Sequence, residues 1–215
     1  MGTSTSQRSP NTPEWRSVRD LYRKKPISGR TVVSAIARAV SDEFVRDMAG
    51  EAPALCLAAA VREPPSAEEV SRSPAAACAR FYESVRAAIF HSTSRQAELA
   101  LEAAQRLLLR GAQRGDPAQR TREFLAEYLA ATFAYLCARD ASDFVGGEGL
   151  ATVGEEHELL DQVRQITLEA GRAAEVDALV ELCTARQVEL RELQAALLAV
   201  LTAVFSALRR GVARG

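Results

Sequence analysis

The chain has 215 residues, of which 47% are hydrophobic, and it carries 27 basic and 28 acidic side chains. This length is enough to bury a sizeable core, as one large domain or as two small ones. Because the basic and acidic side chains nearly balance, the net charge of the molecule does not attract it to nucleic acid or to a membrane surface.

The first part of the chain carries start signals for two helices. Thr12-Pro13 pairs a capping residue with a proline at the first helical position, and it predicts a helix from about 13 to 24. Ser28 or Thr31 begins a second predicted helix, whose apolar stripe continues to about Met48.

The same kind of signal recurs in the middle of the chain. The stretch SAEE at 66–69 matches a capping box, which predicts a brief helix. Ser73-Pro74 begins a long helical region with a predicted break near 91–94, and Asp116-Pro117 begins the next helix.

The clearest predicted loop is GGEGLATVG at 146–154. If the helical domain has an internal boundary, we expect it in this loop. Two more helices are predicted, over about 155–171 and 174–211. No run of alternating β-branched residues demands a sheet. We therefore predict an all-α, multi-helix bundle, with a flexible N-terminal tail over 1–12 and a single helical domain over 13–215.

The stretch AALLAVLTAVFSAL, residues 195–208, is apolar on every side of a helix and is followed by Arg209-Arg210. A bilayer span needs roughly 20 such residues, so the stretch is too short to predict one. We predict a central core helix, or a helix covered by a partner subunit, and no membrane attachment.

Four cysteines lie far apart in apolar helical surroundings, without the close pairs of a zinc or redox site. They are Cys56, Cys78, Cys137 and Cys183. We predict buried free thiols. No secretion signal is recognised at the start of the chain, and the expected location is a reducing cytoplasm.

Residues suited to catalysis are few. The histidines are His91 and His157, and His157 lies in the acidic stretch EEHELLD, which is typical of a solvated helix start. The GGEG stretch lacks the Lys-Ser or Lys-Thr of a phosphate-binding loop, and no serine or cysteine has a nucleophile motif. We predict no catalytic residue, no metal site and no cofactor, and hence a protein that is not an enzyme.

The N-terminal region is locally basic, with seven basic residues from Arg8 to Arg30. Such a stretch can contact phosphates. The helical spacing of its arginines is more typical of a solvated or partner-facing edge. We predict that Trp15, Arg16 and Arg19 contact a partner protein, and we do not expect nucleic acid as the main partner.

The first six residues, MGTSTS, match the N-myristoylation pattern. That machinery is eukaryotic, whereas 25 arginines, 2 lysines and 40 alanines are typical of a GC-rich bacterial genome. A small second residue lets methionine aminopeptidase remove Met1, which would leave the amine of Gly2 free, with a pKa of about 7.7 to 8.0. The alternative is a disordered start without a role.

The start MGTS, followed by the connector SPNTPEW, resembles the N-terminus of the QatB proteins of bacterial Qat anti-phage operons, over about 15 residues. The resemblance implies a non-enzymatic subunit encoded beside a P-loop ATPase, a QueC-like enzyme and a TatD-like nuclease. QueC-like enzymes activate the carboxylate of a deazaguanine with ATP and pass it to an amine. The resemblance makes Gly2 the acceptor, with Thr3 and Ser4 as recognition contacts.

The sequence thus leads to one functional hypothesis and two alternatives. The hypothesis is a helical subunit of a bacterial antiviral defence complex, whose tail enters a QueC-like partner enzyme and whose body docks on it. One alternative is a DNA-binding transcriptional regulator that dimerises through its C-terminal helices, although no helix-turn-helix is recognisable after Arg30. The other is a helical adaptor whose tail is not modified.

Overall fold

The computed structural model of the protein describes residues 10–62, 66–88, 94–109, 115–185 and 187–211. Its α-helices are α1 (Pro13–Leu21), α2 (Gly29–Ala39), α3 (Asp42–Met48), α4 (Glu51–Arg62), α5 (Ala67–Arg72), α6 (Pro74–Ala88), α7 (Arg95–Leu109), α8 (Pro117–Ala141), α9 (Val153–Arg172), α10 (Asp177–Thr184) and α11 (Leu190–Arg209). Within the described ranges the only strand-like feature is one isolated bridge, between Val145 and Leu150. The predicted all-α class is confirmed.

The predicted helix starts are confirmed by their caps. The side chains of Thr12, Ser28 and Asp116 each accept a hydrogen bond from the backbone N–H three residues later, over 3.4, 3.3 and 2.7 Å. At the SAEE stretch both bonds of the capping box form between Ser66 and Glu69. These caps depend on neighbouring residues only, which is why the sequence predicts them well.

Two predicted helices are each divided in two, and this part of the prediction is wrong. The helix expected from Ser28 to Met48 stops at Val40, which has extended backbone with φ −71° and ψ 126°. Ser41 then caps α3 by accepting a hydrogen bond from the N–H of Phe44 over 3.2 Å. The helix expected over 174–211 is likewise interrupted at Ala185, with ψ 145°. The apolar stripe continues across both breaks because each pair of helices packs on the same core.

Smaller corrections concern helix ends and the predicted loop. Helix α1 ends at Leu21 rather than near residue 24. The loop begins as predicted, but α9 starts at Val153, because Thr152 caps it by accepting from the N–H of Glu155 over 3.2 Å. The predicted break near 91–94 falls mostly outside the described residues.

The central element is α8, whose side chains are buried along most of its length. It packs against α7 on one side and α9 on another, and also meets α4, α10 and α2. Its aromatic side chains Phe124, Tyr128 and Phe133 are fully buried, and the ring centroid of Phe133 lies 5.4 Å from that of Phe205 in α11. The crossing of α8 and α9 is close enough that Gly171 of α9 lies directly on the backbone of Ala126.

A buried carboxylate also joins three helices. Glu127 of α8 has no exposed side-chain surface, and it accepts a hydrogen bond from Nη2 of Arg164 in α9 over 2.8 Å. Arg106 of α7 lies 3.9 Å from the same carboxylate oxygen. The pairing offsets the free energy that burial of a single charge would cost.

The apolar stretch near the C-terminus belongs to α11, which has one buried face and one exposed face. Six large side chains lie on the buried face: Leu193, Leu197, Leu201, Val204, Phe205 and Leu208. The opposite face exposes small side chains such as Ala195, Ala199 and Thr202. By length and composition α11 is the one described helix that could cross a membrane. In this structure it packs on α2, α3, α4 and α10.

Three of the predicted buried thiols are confirmed. Cys56, Cys137 and Cys183 are buried and free. Burial raises the pKa of the Cys56 thiol to about 12, and that of the Cys137 and Cys183 thiols to about 11. The side chain of Cys78 lies outside the described part of the structure.

Candidate functional site

Helix α1 is anchored to the body by its inner face. Trp15, Val18 and Tyr22 are 4%, 0% and 0% exposed. The hydroxyl of Tyr22 donates to Sγ of Cys137 in α8 over 3.4 Å, and burial raises the pKa of Tyr22 well above its usual value. The helix that follows the predicted tail therefore has a fixed position on the bundle.

The connector before α1 is tied to the same helix. Nη2 of Arg19 donates to Oδ1 of Asn11 over 3.3 Å, and Thr12 caps the helix. These two contacts hold Asn11 and Thr12 at the start of α1. Residues 1–9 continue from this point, and the predicted site residues Gly2, Thr3 and Ser4 lie outside the described range.

The outward edge of α1 carries the predicted partner-contacting arginines. Arg16 is exposed, and Arg19 is half-buried and contacts Asn11. Trp15 does not share this edge, because its indole faces the core. An indole that is 4% exposed offers little surface to a partner.

Basic residues further along the N-terminal region have partners within the chain. Arg23 forms an ion pair with Asp20 at 3.1 Å, and its guanidinium lies 5.1 Å from the ring centroid of Phe144. Lys25 pairs with Glu155 at 2.9 Å. This contact and the backbone N–H of Ala151 hold the pKa of Glu155 below its usual value.

A cavity of about 870 Å³ opens beside the start of α1. Its walls come from the connector and α1, the junction of α2 and α3, the start of α7 and the C-terminal part of α8. The residues that matter for its chemistry are Trp15, Phe44, Arg46, Gln96, Tyr135 and Arg139. No sequence pattern indicates this cavity, because the residues of its full lining are far apart in the chain and come from five different helices, α1, α2, α3, α7 and α8.

Two guanidinium groups lie over aromatic rings in the cavity wall. Cζ of Arg139 is 4.7 Å from the centroid of the Trp15 ring, and Cζ of Arg95 is 4.7 Å from that of Tyr135. Such stacking orients a guanidinium and stabilises its charge. The cavity therefore combines aromatic surface with positive charge.

The histidine that the sequence places in an acidic stretch lies elsewhere. His157 is on α9 and exposed, close to Glu155 and Glu156. In the described ranges no group of three or more His, Cys, Asp or Glu side chains is arranged to hold a metal ion. His91 falls outside those ranges.

No family model, curated protein or solved structure matches this chain.

Proposed function

We propose that this protein is a non-enzymatic helical subunit of a bacterial antiviral defence complex that presents its N-terminal glycine to a QueC-like partner enzyme. The observation that carries the proposal is the N-terminal pattern, MGTS followed by SPNTPEW. The structure supports it in one respect. Asn11 and Thr12, which follow the proposed tail in the sequence, are held at the start of α1 by the Arg19 contact and by the Thr12 cap.

The reaction would modify the tail of this protein on the partner enzyme. ATP activates the carboxylate of a deazaguanine as an acyl-adenylate and releases pyrophosphate. The neutral amine of Gly2 attacks the acyl carbon, an amide bond forms, AMP leaves and the amine loses a proton. With a pKa of about 7.7 to 8.0, a terminal amine is neutral far more often at neutral pH than a lysine with a pKa of about 10.4.

The lysines of this chain are poor competitors for such a reaction. There are two, Lys24 and Lys25, and both follow α1 directly. The ammonium group of Lys25 is paired with Glu155 at 2.9 Å.

The body would dock through the outward edge of α1. Arg16 is exposed there, and Arg19 lies one turn further along the helix. Two arginines at this spacing suit an acidic surface on the partner. The indole of Trp15 would support the position of α1 from within rather than touch the partner.

The nucleic-acid alternative receives less support from the structure. The rings of Trp15 and Tyr22 are buried, so neither offers a face to a base. Helices α2 and α3 follow one another with only Val40 and Ser41 between them, which is a helix–turn–helix order. The seven residues of α3, DEFVRDM, contain three acidic side chains and one arginine. Such a helix would be repelled by phosphates.

The proposal is tested by the intact mass of the protein after coexpression with the neighbouring QueC-like enzyme. We expect loss of Met1 and a gain equal to one deazaguanine acyl group, located at Gly2 by peptide fragmentation. Gly2→Glu should retain Met1 and abolish the gain without changing the fold. Deletion of Thr3 to Ser6 should also abolish it, because the tail becomes too short to reach the active site.

Two matched variants separate the terminal amine from other acceptors. Gly2→Ala keeps a small residue and a free amine, so both Met1 removal and modification should persist. The double variant Lys24→Arg with Lys25→Arg should be modified like the parent protein. Unmodified protein in the presence of competent enzyme, ATP and substrate would contradict the proposal, and so would an adduct that is lost with the lysines.

A further inference from the structure

We propose that two copies of this chain associate through the outward face of α11, with the two helices antiparallel. The helix carries no charged residue between Glu192 and Arg209. Only 28% of its most apolar stretch is buried inside the chain. A helix face that meets water normally carries charged side chains, so a face without them over about four turns indicates that another molecule covers it.

One line of residues along this face has the spacing of a helix–helix contact. Its members alternate four and three residues apart, which keeps them on one side of an α-helix. We call this line the outer seam of α11, and its members are Glu192, Ala196, Ala199, Ala203, Ser206 and Arg210. All of them are exposed or half-buried. The members between the two ends are small, so the backbones of two helices can approach closely along the seam.

The outer seam is complementary to itself when the second helix runs in the opposite direction. In a two-fold contact the same surface serves both copies, and paired residues meet twice. With the axis midway between Ala199 and Ala203, each of these residues lies opposite the other in the second copy. Glu192 then lies opposite Arg210, because the two are equally far from the axis. A parallel pair would instead bring like charges together at both ends.

A groove beside the outer seam enlarges this surface. It has a volume of about 600 Å³ and lies between the C-terminal half of α11 and the end of α9. Ala203 belongs to both the seam and the groove, whose walls also include Ala170, Ala173, Val200 and Ala207. A second α11 placed on the seam therefore also covers apolar surface of α9, and the contact buries more area than two helices alone would.

The two end charges are available for this pairing. Glu192 and Arg210 are exposed, and neither has an ion-pair partner in the described ranges. Arg210 follows the last residue of α11 with helical backbone, φ −78° and ψ −6°, so it continues the line of the seam. It is the basic residue in the groove wall, which also contains Glu169 and Glu175, and is thus the group there that receives a carboxylate. Such exposed pairs set the direction of the helices more than they add affinity.

A membrane surface fits this face less well than a second copy does. Helices that lie on a bilayer turn large side chains toward the lipid. In α11 the large side chains of Leu197, Leu201 and Phe205 face the bundle, and the outward alanines would bury little apolar area in lipid. Close packing of two helices uses small side chains, which are the ones that this face offers.

Sedimentation velocity of the full-length protein tests the proposal. The contact is small, so we expect a reversible monomer–dimer equilibrium with a dissociation constant of about 10–100 µM. Ala199→Glu places a carboxylate at the centre of the seam and should weaken the dimer at least about tenfold. Arg16→Glu, a charge change on the exposed edge of α1, should leave it unchanged. Urea denaturation at about 1 µM, where the chain is monomeric, should give the same unfolding for Ala199→Glu and the parent protein.

An exchange of charges tests the direction of the helices. Arg210→Glu sets two carboxylates opposite each other at both ends and should weaken the dimer about tenfold. Adding Glu192→Arg restores opposite charges, and the dissociation constant should return to within about threefold of the parent value. In a parallel dimer the double variant would restore nothing, because like charges would still meet.

Several results would overturn the proposal. These are a monomer at every concentration up to about 200 µM, a dimer that survives both Ala199→Glu and Arg210→Glu, or a double variant that does not recover. Flotation with vesicles of phosphatidylcholine and phosphatidylglycerol is measured in parallel. A monomer that binds the vesicles, and loses this binding in Ala199→Glu, would assign the face to a membrane surface and refute the dimer. None of these outcomes depends on whether Gly2 is modified.

Discussion

At the scale of single residues, Gly171 marks a very close approach between the backbones of α8 and α9. A Cβ at this position would lie 2.4 Å from Cα of Ala126 and 2.6 Å from its backbone nitrogen. Neither atom can move without separating α8 from α9. We expect Gly171→Ala to lower the free energy of unfolding by roughly 1–3 kcal/mol, measured by urea denaturation.

The matched control for this prediction is on the same helix. A Cβ at Gly154 would meet only Oγ1 of Thr152, at the ordinary contact distance of 3.6 Å. Gly154→Ala should be neutral or stabilising by up to about 1 kcal/mol, because alanine has the higher helix propensity. Equal destabilisation by both variants would mean that the α8–α9 contact is looser than the structure has it.

Residues that act on their immediate neighbours were predictable from the sequence, and residues that meet across the fold were not. Thr12, Ser66 and Asp116 each cap a helix by accepting a hydrogen bond from the backbone N–H three residues later. Local sequence patterns therefore reveal them. Arg139 is one of 25 arginines. Nothing in its local sequence indicates that it lies on Trp15, and only the packing of α1 against α8 brings the two together.

At the scale of helices, α2 and α11 cap each other at their C-terminal ends. Nε of Arg209 donates to the carbonyl oxygen of Ala37 over 2.9 Å, and its Nη2 to that of Val40 over 3.2 Å. In return Nε and Nη2 of Arg38 bind the carbonyl oxygen of Arg209. Each guanidinium satisfies carbonyls that a helix end leaves without partners.

This reciprocal capping predicts the effect of removing one guanidinium. Arg209→Ala should lower the free energy of unfolding by roughly 1–3 kcal/mol, since two carbonyl groups lose their charged donor. Arg210→Ala, at the exposed neighbouring residue, should stay within about 0.5 kcal/mol of the parent protein. Denaturation curves in urea give both values. A similar small effect for both would show that the capping contributes little.

Helix starts were easier to predict than helix ends and breaks. The breaks at Val40 and Ala185 were missed because neither contains proline or glycine, and the apolar stripe runs through both. Ser41 could have indicated the first break, since serine followed by two acidic residues is a common start of a helix. The period of the hydrophobic residues indicates which face of a helix is buried. In each pair, the two helices continue the same buried face, so the period does not reveal the break between them.

At the scale of the whole molecule, one hydrophobic cluster contains buried residues from Trp15 to Leu208. The loop after α8 belongs to the same body, because a Cβ at Gly149 would lie 2.0 Å from the carbonyl oxygen of Tyr22. The fold class follows from the number and spacing of helix signals. The central position of α8 does not, since it depends on how the other helices pack around it.

The position of α11 in this core leads to the last prediction. The sequence suggested a helix that is apolar all round, but its large side chains face the bundle and its exposed face carries small ones. Deletion from Gln194 onward removes Leu197, Leu201 and Phe205 from the core. The remaining helices would expose the apolar surface that these residues cover, so we expect insoluble protein.

Point substitutions test the same packing without removing the helix. Leu201→Glu places a charge in the core and should leave little folded protein in the soluble fraction, because an unpaired buried carboxylate is strongly destabilising. Ala199→Glu changes the exposed face of the same helix and should give soluble protein whose free energy of unfolding stays within about 0.5 kcal/mol of the parent. Circular dichroism and urea denaturation of the soluble fractions measure both.

If Ala199→Glu aggregated while Leu201→Glu stayed soluble, α11 would have to be covered on its other face, by a membrane or a partner subunit. A soluble, well-folded truncation would likewise show that the core forms without α11.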